Sequence, residues 1–515
     1  MIEAIAHGLA ALLTPHALLF MTLGVLYGLV IGILPGLGGV VAMALLLPFT
    51  YGFPTEATLA LLLGAHIATI WGDSVTSILF SVPGSAKGLA LCFDGYPMTQ
   101  QGQAKRALAA SATGALMGGI IGAVFLALCI PLIRPVILAL GPSEYLMMAL
   151  WGLTVIATFS EGSLMKGLIA SLLGVLVAFI GTDVVTATPR FTFGFEFLMD
   201  GISFPVAMIG LFAVSEMMKL AIRGTPIVDR SVVPETSTVW QGVRDAVSHW
   251  WLVMRSSLLG LWIGVLPGVG ASVAGLAAYA QAAQTSRTPE RFGKGAVEGV
   301  IAPDATMGAN EGGGLMPTLA FGIPGGESMA LLLVAFVSLG VVPGPDMLTT
   351  NLPLVFSMVW IIVLANIMVT LIGLGITPWL ARLPALQANL MVPTVLSVCV
   401  VGAYAVRGRI EDVVVAAVFG VLGYLMDKYR YSRANFVIGM VLAVMIERNL
   451  HISLTLYGND FLIDRPIALA MLVFVVVTGA LPFVRNRRRR KTLKAAAACA
   501  RPKRASPACR SMWTR

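Results

Sequence analysis

The densest run of side chains able to do chemistry is Trp71-Gly72-Asp73-Ser74-Val75-Thr76-Ser77-Ile78-Leu79-Phe80-Ser81-Val82-Pro83-Gly84-Ser85-Ala86-Lys87. Ser74, Ser77 and Ser81 share one helical face by their spacing and point toward Pro83-Gly84, a placement that suits hydrogen bonds to a carboxylate or coordination of a cation. The bland alternative for each hydroxyl is a bond to a carbonyl one turn back. Asp73 and Lys87 are ionisable groups beside apolar segments, so Asp73 is a candidate for a cation or gating role and Lys87 for contact with an anion. Simple snorkelling to an interface is the alternative for both. A second polar run, Ala302 to Gly314 followed by Gly322 to Ser328, carries Asp304, Asn310, Glu311 and Glu327. These four side chains offer hard oxygen ligands for Na⁺ or a titratable site for H⁺.

Each polar run stands near a pair of proline-glycine breaks. Gly32-Ile33-Leu34-Pro35-Gly36-Leu37-Gly38 matches Gly264-Val265-Leu266-Pro267-Gly268-Val269-Gly270 at an offset of 232, with five of seven positions identical. Phe80-Ser81-Val82-Pro83-Gly84 matches Phe321-Gly322-Ile323-Pro324-Gly325 at an offset of 241, in the same order. Proline removes an N–H donor and glycine permits backbone angles closed to other residues, so these breaks end helices inside a membrane. The exposed N–H groups of such a break attract an anion. For one isolated copy a proline kink or a packing surface explains as much; two copies in register favour a site. The expected substrate-binding set is Pro35, Gly36, Gly38, Ser74, Ser77, Ser81, Pro83, Gly84, Ser85, Lys87, Pro267, Gly268, Gly270, Pro324, Gly325, Gly326 and Ser328. Asp73, Asp304, Asn310, Glu311 and Glu327 are the coupling-ion candidates.

The elements that position these residues are membrane spans. The 515 residues are 57% hydrophobic and 11% charged, with a mean hydropathy of +0.89, which leaves too little polar surface for a soluble globule. The net charge of +9 belongs to a tail: residues 485 to 515 hold 12 of the 34 Lys and Arg and no Asp or Glu, so the remainder is 22 minus 25, or −3. The positive-inside rule puts that tail in the cytoplasm. Spans free of Asp, Glu, Lys and Arg predict about 10–12 crossings with additional re-entrant segments. The first of them is read as a retained span rather than a signal peptide. The expected fold is an all-α polytopic membrane protein with two repeat halves, residues 1–222 and 251–484. A polar interdomain loop, 223–250, separates them, and 485–515 is the basic tail.

The halves are expected to be inverted. The segment between the two breaks carries Glu56 and no Lys or Arg in the first half, but Arg287, Arg291 and Lys294 in the second. Equivalent loops therefore face opposite sides, the arrangement from which many secondary transporters build a midplane site.

No catalytic or metal-binding residue is expected. His7, His16, His66, His249 and His451 are widely spaced, and the sequence has no H-E-x-x-H, C-x-x-C or Walker motif. Five cysteines, Cys92, Cys129, Cys399, Cys499 and Cys509, suggest no disulfide framework. No cofactor is implied beyond a coupling ion, Na⁺ or H⁺.

The paired G-x-L-P-G-x-G motifs, Phe93-Asp94-Gly95-Tyr96-Pro97-Met98, Arg190-Phe191-Thr192-Phe193-Gly194, Pro289-Glu290-Arg291-Phe292-Gly293-Lys294-Gly295 and Gly344-Pro345 together resemble the large transmembrane subunit of the tripartite tricarboxylate transporters. The resemblance covers residues from about 20 to 480. It implies uptake of a carboxylate driven by an ion gradient, a periplasmic solute-binding protein that delivers the substrate, a small transmembrane subunit, and a bacterial inner membrane. The chain departs from the family pattern beside the expected site, at Asp73 and at Met307-Gly308. An anion channel, an intramembrane enzyme and a non-transporting scaffold are the rivals. Filters usually form from oligomeric rings of short repeats, the chain lacks a paired-aspartate or Ser-His arrangement, and a scaffold has no use for mirrored polar breaks.

Overall fold

The computed structural model describes residues 1–34, 37–83, 85–158, 164–183, 187–223, 234–267, 271–381, 388–462 and 465–478. Pro35, Gly36, Gly84, Gly268 and Gly270, and the tail from 485, lie outside them. The first half runs α1 (Ile2–Leu12), α2 (Pro15–Gly32), α3 (Gly39–Leu46), α4 (Thr55–Phe80), α5 (Gly95–Gln100), α6 (Ala104–Leu138), α7 (Pro142–Thr158) and α8 (Leu164–Ala178). A two-stranded hairpin follows, β1 (Gly181–Thr182) with β2 (Pro189–Arg190). Next, α9 (Phe204–Met208) and α10 (Ser215–Arg223) are joined by a π-helical turn, Ile209–Val214. The remainder is α11 (Val239–Ser248), α12 (Trp250–Val265), α13 (Ala271–Thr285), α14 (Glu298–Phe321), α15 (Glu327–Ser338), α16 (Leu352–Leu380), α17 (Ala388–Arg407), α18 (Ile410–Lys428), α19 (Arg433–Tyr457) and a last helix, Pro466–Thr478.

Six helices are long and apolar enough to cross a membrane: Pro15–Gly32, Thr55–Phe80, Ala104–Leu138, Phe204–Ile222, Leu352–Leu380 and Arg433–Asp460. Their outer faces confirm the solvent they meet. On α2, Leu19, Leu23, Leu26 and Val30 are exposed at helical spacing, while Met21, Gly24, Val25, Gly28 and Gly32 are buried. On α6, Ile120, Val124, Leu128, Leu132 and Val136 form the same kind of exposed apolar stripe. A helix that is apolar on both faces is stable only if its outer face meets lipid. Capping starts these helices where the sequence changes character: Thr14 precedes Pro15 and its hydroxyl accepts from the Ala17 N–H at 3.4 Å.

At the centre stands α4, all of whose apolar window is buried in protein. It can be enclosed because its neighbours present glycine. A Cβ on Gly24, Gly28 or Gly32 of α2 would come within 2.3, 2.2 and 2.8 Å of the backbone at Leu61, Ala65 and Thr69. The same contact recurs between α12 and α14, where a Cβ on Gly260 would come within 2.2 Å of the Thr306 carbonyl and one on Gly264 within 2.7 Å of that of Asn310. Gly28 with Ala65 and Gly260 with Thr306 are separated by the offsets of the sequence motifs, 232 and 241. Small residues thus let backbones touch where lipid supplies no hydrophobic drive for association. α6 joins the second pair by the same device, since a Cβ on Gly118 would lie 2.0 Å from the Ala305 carbonyl.

The polar segment 223–250 contains a helix. α11 is capped by a reciprocal pair of bonds between Thr238 and Gln241 and is held to α6 by Arg106, whose Nε lies 2.5 Å from Asp245 Oδ2.

Candidate functional site

Both central helices end in left-handed residues, at equivalent places in the motifs. α4 stops at Ser81, with φ of 55°, and α14 at Gly322, with φ of 67°. After each cap the chain folds back along its own helix. Ser85 thereby returns to the level of Asp73, whose Oδ1 accepts from the Ser85 N–H at 3.0 Å and whose Oδ2 accepts from the Ser85 hydroxyl. Gly325 returns to the level of Gly314, with its N–H donating to Thr318 Oγ1 at 3.3 Å. In the first half the two breaks meet, since a Cβ on Gly38 would lie 3.2 Å from that of Ser85.

α4 and α14 cross the core antiparallel. Ser74 Oγ donates to Asp304 Oδ1 at 2.7 Å, and His66 Nε2 lies 2.8 Å from Glu311 Oε2, so rising numbers on one helix meet falling numbers on the other. The centre of α4 falls between Ile67 and Ala68 and that of α14 between Ala309 and Asn310, so the His66–Glu311 pair sits near the middle of both. Lys87, just past the first break, reaches the other oxygen of Glu311 at 3.5 Å. Its side chain is 27% exposed against 5% for Glu311. His66 Nδ1 has no hydrogen-bond partner among the described residues and faces the start of α3, where a Cβ on Gly39 would come within 2.4 Å of it.

This geometry sorts the expected residues. Asp73, Ser74, Ser85, Lys87, Asp304 and Glu311 come together between the two helices. The Ser77 hydroxyl donates to the Asp73 carbonyl at 2.9 Å, the local bond one turn back. Ser81 leaves the helical face it was expected to share, since it is the left-handed cap and its side chain is exposed. Gly38 adjoins this cluster, and Pro83 precedes it half-buried.

The second break stands apart from the first. Gly314, the level reached by Gly325, lies ten residues beyond Asp304, or about 15 Å along α14 at 1.5 Å per residue. The two fold-backs therefore flank His66–Glu311 rather than converging at one point. At the second break Pro267, Pro324 and Ser328 are buried, Gly325 is pressed against the backbone of Gly314 and Gly264, and Gly326 has open space on its side-chain side. Glu327 is exposed at the first turn of α15, away from the buried cluster. Asn310 lies one residue before Glu311, and its side-chain oxygen is buried without a hydrogen-bond partner among the described residues.

His66 is the member of this buried cluster that motif spacing missed. Its signal was its being the one ionisable group in the span 57–72, otherwise free of Asp, Glu, Lys and Arg. Ser111 of α6, buried beside Asp304, carried no signal of its own.

Other shared motifs are joints. Asp94 is fully buried and holds the Pro289–Gly295 segment, its Oδ1 accepting from the N–H groups of Gly295 and Ala296 at 2.8 and 2.9 Å and its Oδ2 from the Tyr279 hydroxyl at 2.9 Å. Arg190 pairs with Glu447 at 2.7 Å and Asp183 at 3.2 Å, and Gly344, with φ of 116°, donates to the Leu319 carbonyl at 2.9 Å.

The chain is 31% identical over 494 residues to a protein of Agrobacterium vitis described as an uncharacterized 52.8 kDa protein in the TAR-I ttuC' 3' region, covering 95% of this chain and 98% of that one. It is 28% identical over 234 residues to a second Agrobacterium vitis protein, described as uncharacterized and in the TAR-II ttuC' 3' region, covering 44% of this chain and 97% of that one. No solved structure matches. Residues 18–438 match the model of the tripartite tricarboxylate transporter TctA family. With that match spanning most of its length, the chain belongs to the tripartite tricarboxylate transporter TctA family, as a multi-pass membrane component of a transport system and not an enzyme.

Proposed function

We propose that this chain is the permease of a binding-protein-dependent secondary transporter that imports an organic carboxylate with a co-transported cation. The observation that carries the reading is the Lys87–Glu311–His66 cluster, set at the middle of two antiparallel, protein-enclosed helices and beside a chain break. Ionisable groups at that depth are too costly to keep for packing alone. Lys87 is the anion contact: it is more exposed than its partner and its pair with Glu311 is long, so an arriving carboxylate competes with Glu311 for the ammonium. Glu311 keeps His66 while that exchange takes place. The second break, whose sequence from Gly312 to Ser338 holds Glu327 and no Lys or Arg, is a gate rather than the anion subsite.

The antiparallel course of α4 and α14, together with the repeated glycine contacts, supports two inverted halves. The rest of the system is a periplasmic solute-binding protein and a small transmembrane subunit, in a bacterial inner membrane with the basic tail in the cytoplasm. Counterflow tests the reading against a channel: proteoliposomes preloaded with unlabelled citrate, malate, succinate or tartrate are challenged with the labelled acid. A carrier accumulates label transiently with at least one of them. Flux without counterflow identifies a channel, and no flux with the complete three-component system identifies a scaffold.

A further inference from the structure

Charges in the central cluster do not balance. Asp73, Asp304 and Glu311 contribute three carboxylates, all buried, and Lys87 and His66 contribute at most two positive charges, both spent on Glu311. Asp73 holds Ser85 with both oxygens. Asp304 is left. It is 0% exposed; Oδ1 receives one hydrogen bond, from Ser74, and Oδ2 has no partner among the described residues. The hydroxyl of Ser111, also buried and without a partner among the described residues, stands beside it. Ionisable groups on the packed elements are Glu56, His66 and Asp73 on α4, Lys87 and Cys92 after it, Lys105, Arg106, Cys129 and Arg134 on α6, Arg255 on α12, Tyr279 on α13, Glu327 on α15, Asp346 in the turn 345–348, and Glu298 and Glu311 on α14 itself. Asp73, another anion, stands near enough to Asp304 to repel a charge there. A bare carboxylate so placed is untenable in a low dielectric.

We propose that Asp304 is the coupling-ion site and that the ion is a proton, carried on Oδ2 and donated in a hydrogen bond to Ser111. Proton uptake forms an O–H bond on Oδ2 and release breaks it, with no other bond altered. The geometry favours a proton over Na⁺, because Na⁺ asks for a shell of oxygens, whereas one carboxylate edge and two serine hydroxyls match a single shared hydrogen. Neutralising Asp304 brings the cluster from −1 to 0 when His66 is charged, which removes the net repulsion an anionic substrate would meet. The coupling role rests on the transport reading above; protonation of Asp304 does not, and the test separates them.

The test is infrared spectroscopy of the purified full chain in liposomes at neutral pH, in Na⁺-free and Na⁺-containing buffer. The expected result is a C=O stretch of a protonated carboxylic acid that is lost in Asp304→Asn, persists in Glu311→Gln, shifts in frequency in Ser111→Ala, and is indifferent to Na⁺. Asp304→Glu keeps the band and guards against misfolding of the asparagine variant. Absence of the band in the parent chain, its persistence in Asp304→Asn, or its loss on adding Na⁺ overturns the proposal. If the band behaves as expected while counterflow fails with every acid, the transport reading falls and the protonated carboxyl stands.

Discussion

Replacing Lys87 by Met removes the ammonium while keeping much of the apolar stem, and it separates a substrate contact from an internal salt bridge. At 3.5 Å the Coulomb attraction between Lys87 and Glu311 is about 5 kcal/mol at an effective dielectric of 20. The Lys87 side chain is 27% exposed, so screening takes away a large part of that. A charge-assisted hydrogen bond to a bound carboxylate contributes roughly 1.5–3 kcal/mol net. Lys87→Met therefore raises the half-saturation for uptake roughly 10- to 100-fold. Glu311→Gln moves the other way: it removes the competitor for the ammonium and leaves a side chain that can still bond His66, so half-saturation falls or stays constant. Concentration-dependent uptake into membrane vesicles, with amounts of inserted protein matched, reads both. If Lys87→Met inserts normally and its half-saturation is unchanged, Lys87 is a structural partner of Glu311 and the anion binds elsewhere. If Glu311→Gln raises half-saturation as much as Lys87→Met, the two act as one ion pair and the competition argument fails.

Four further outcomes follow from the same geometry. Gly325→Val places a side chain against the backbone of Gly314 and Gly264 and so reduces folded protein, an overpacking of at least about 3 kcal/mol, whereas Gly326→Ala meets open space and inserts normally, as read by yield and monodispersity. The matched control is Gly375→Val, which meets nothing within 4 Å; Gly174 cannot serve, because a Cβ there lies 1.9 Å from the Phe436 carbonyl. Single cysteines at Thr55 and Thr288, in a cysteine-free background, label from opposite sides of the membrane, and labelling from one side removes the inverted arrangement. A reporter fused after Arg490 is active in the cytoplasm, and periplasmic activity reverses the topology. Asp94→Ala strands the buried Ala296 N–H and the part-buried Gly295 N–H and lowers thermal stability by about 3 kcal/mol, measured by thermal shift, with no change in half-saturation of the protein that remains folded.

The breaks were legible because proline and glycine act locally, through a lost donor and permitted angles, and pattern alone located them. Their depth was not legible. How far Ser85 and Gly325 fold back is set by packing against Gly38, Gly314 and Gly264, which are distant in sequence, so one shared midpoint was expected where two levels exist. Serine seldom takes positive φ, so spacing places Ser81 on the helix; its motif counterpart Gly322 is the clue, since both turn out to be left-handed caps. Asp73, Asp304, Glu311 and Lys87 stood out as charges in apolar surroundings. Their pairing did not, because it depends on the antiparallel register of α4 with α14. His66 was passed over because spacing rules look for groups of ligands, and its partner lies 245 residues away.

The glycine contacts also fix which parts of the molecule can move as one. Where backbone meets backbone there is no side chain to yield, so α2 travels with α4, and α6 with α12 and α14. This grouping cuts across the two sequence halves, because α6 belongs to the first and its stiffest seam is with the second. Between the groups, α4 meets α14 through His66–Glu311 and Ser74–Asp304, contacts that rotamer changes can open and remake. The polar cluster thus lies on a seam between these groups where side chains rather than backbones meet, and any shift along that seam would change the partners of Asp304, Glu311 and Lys87 directly.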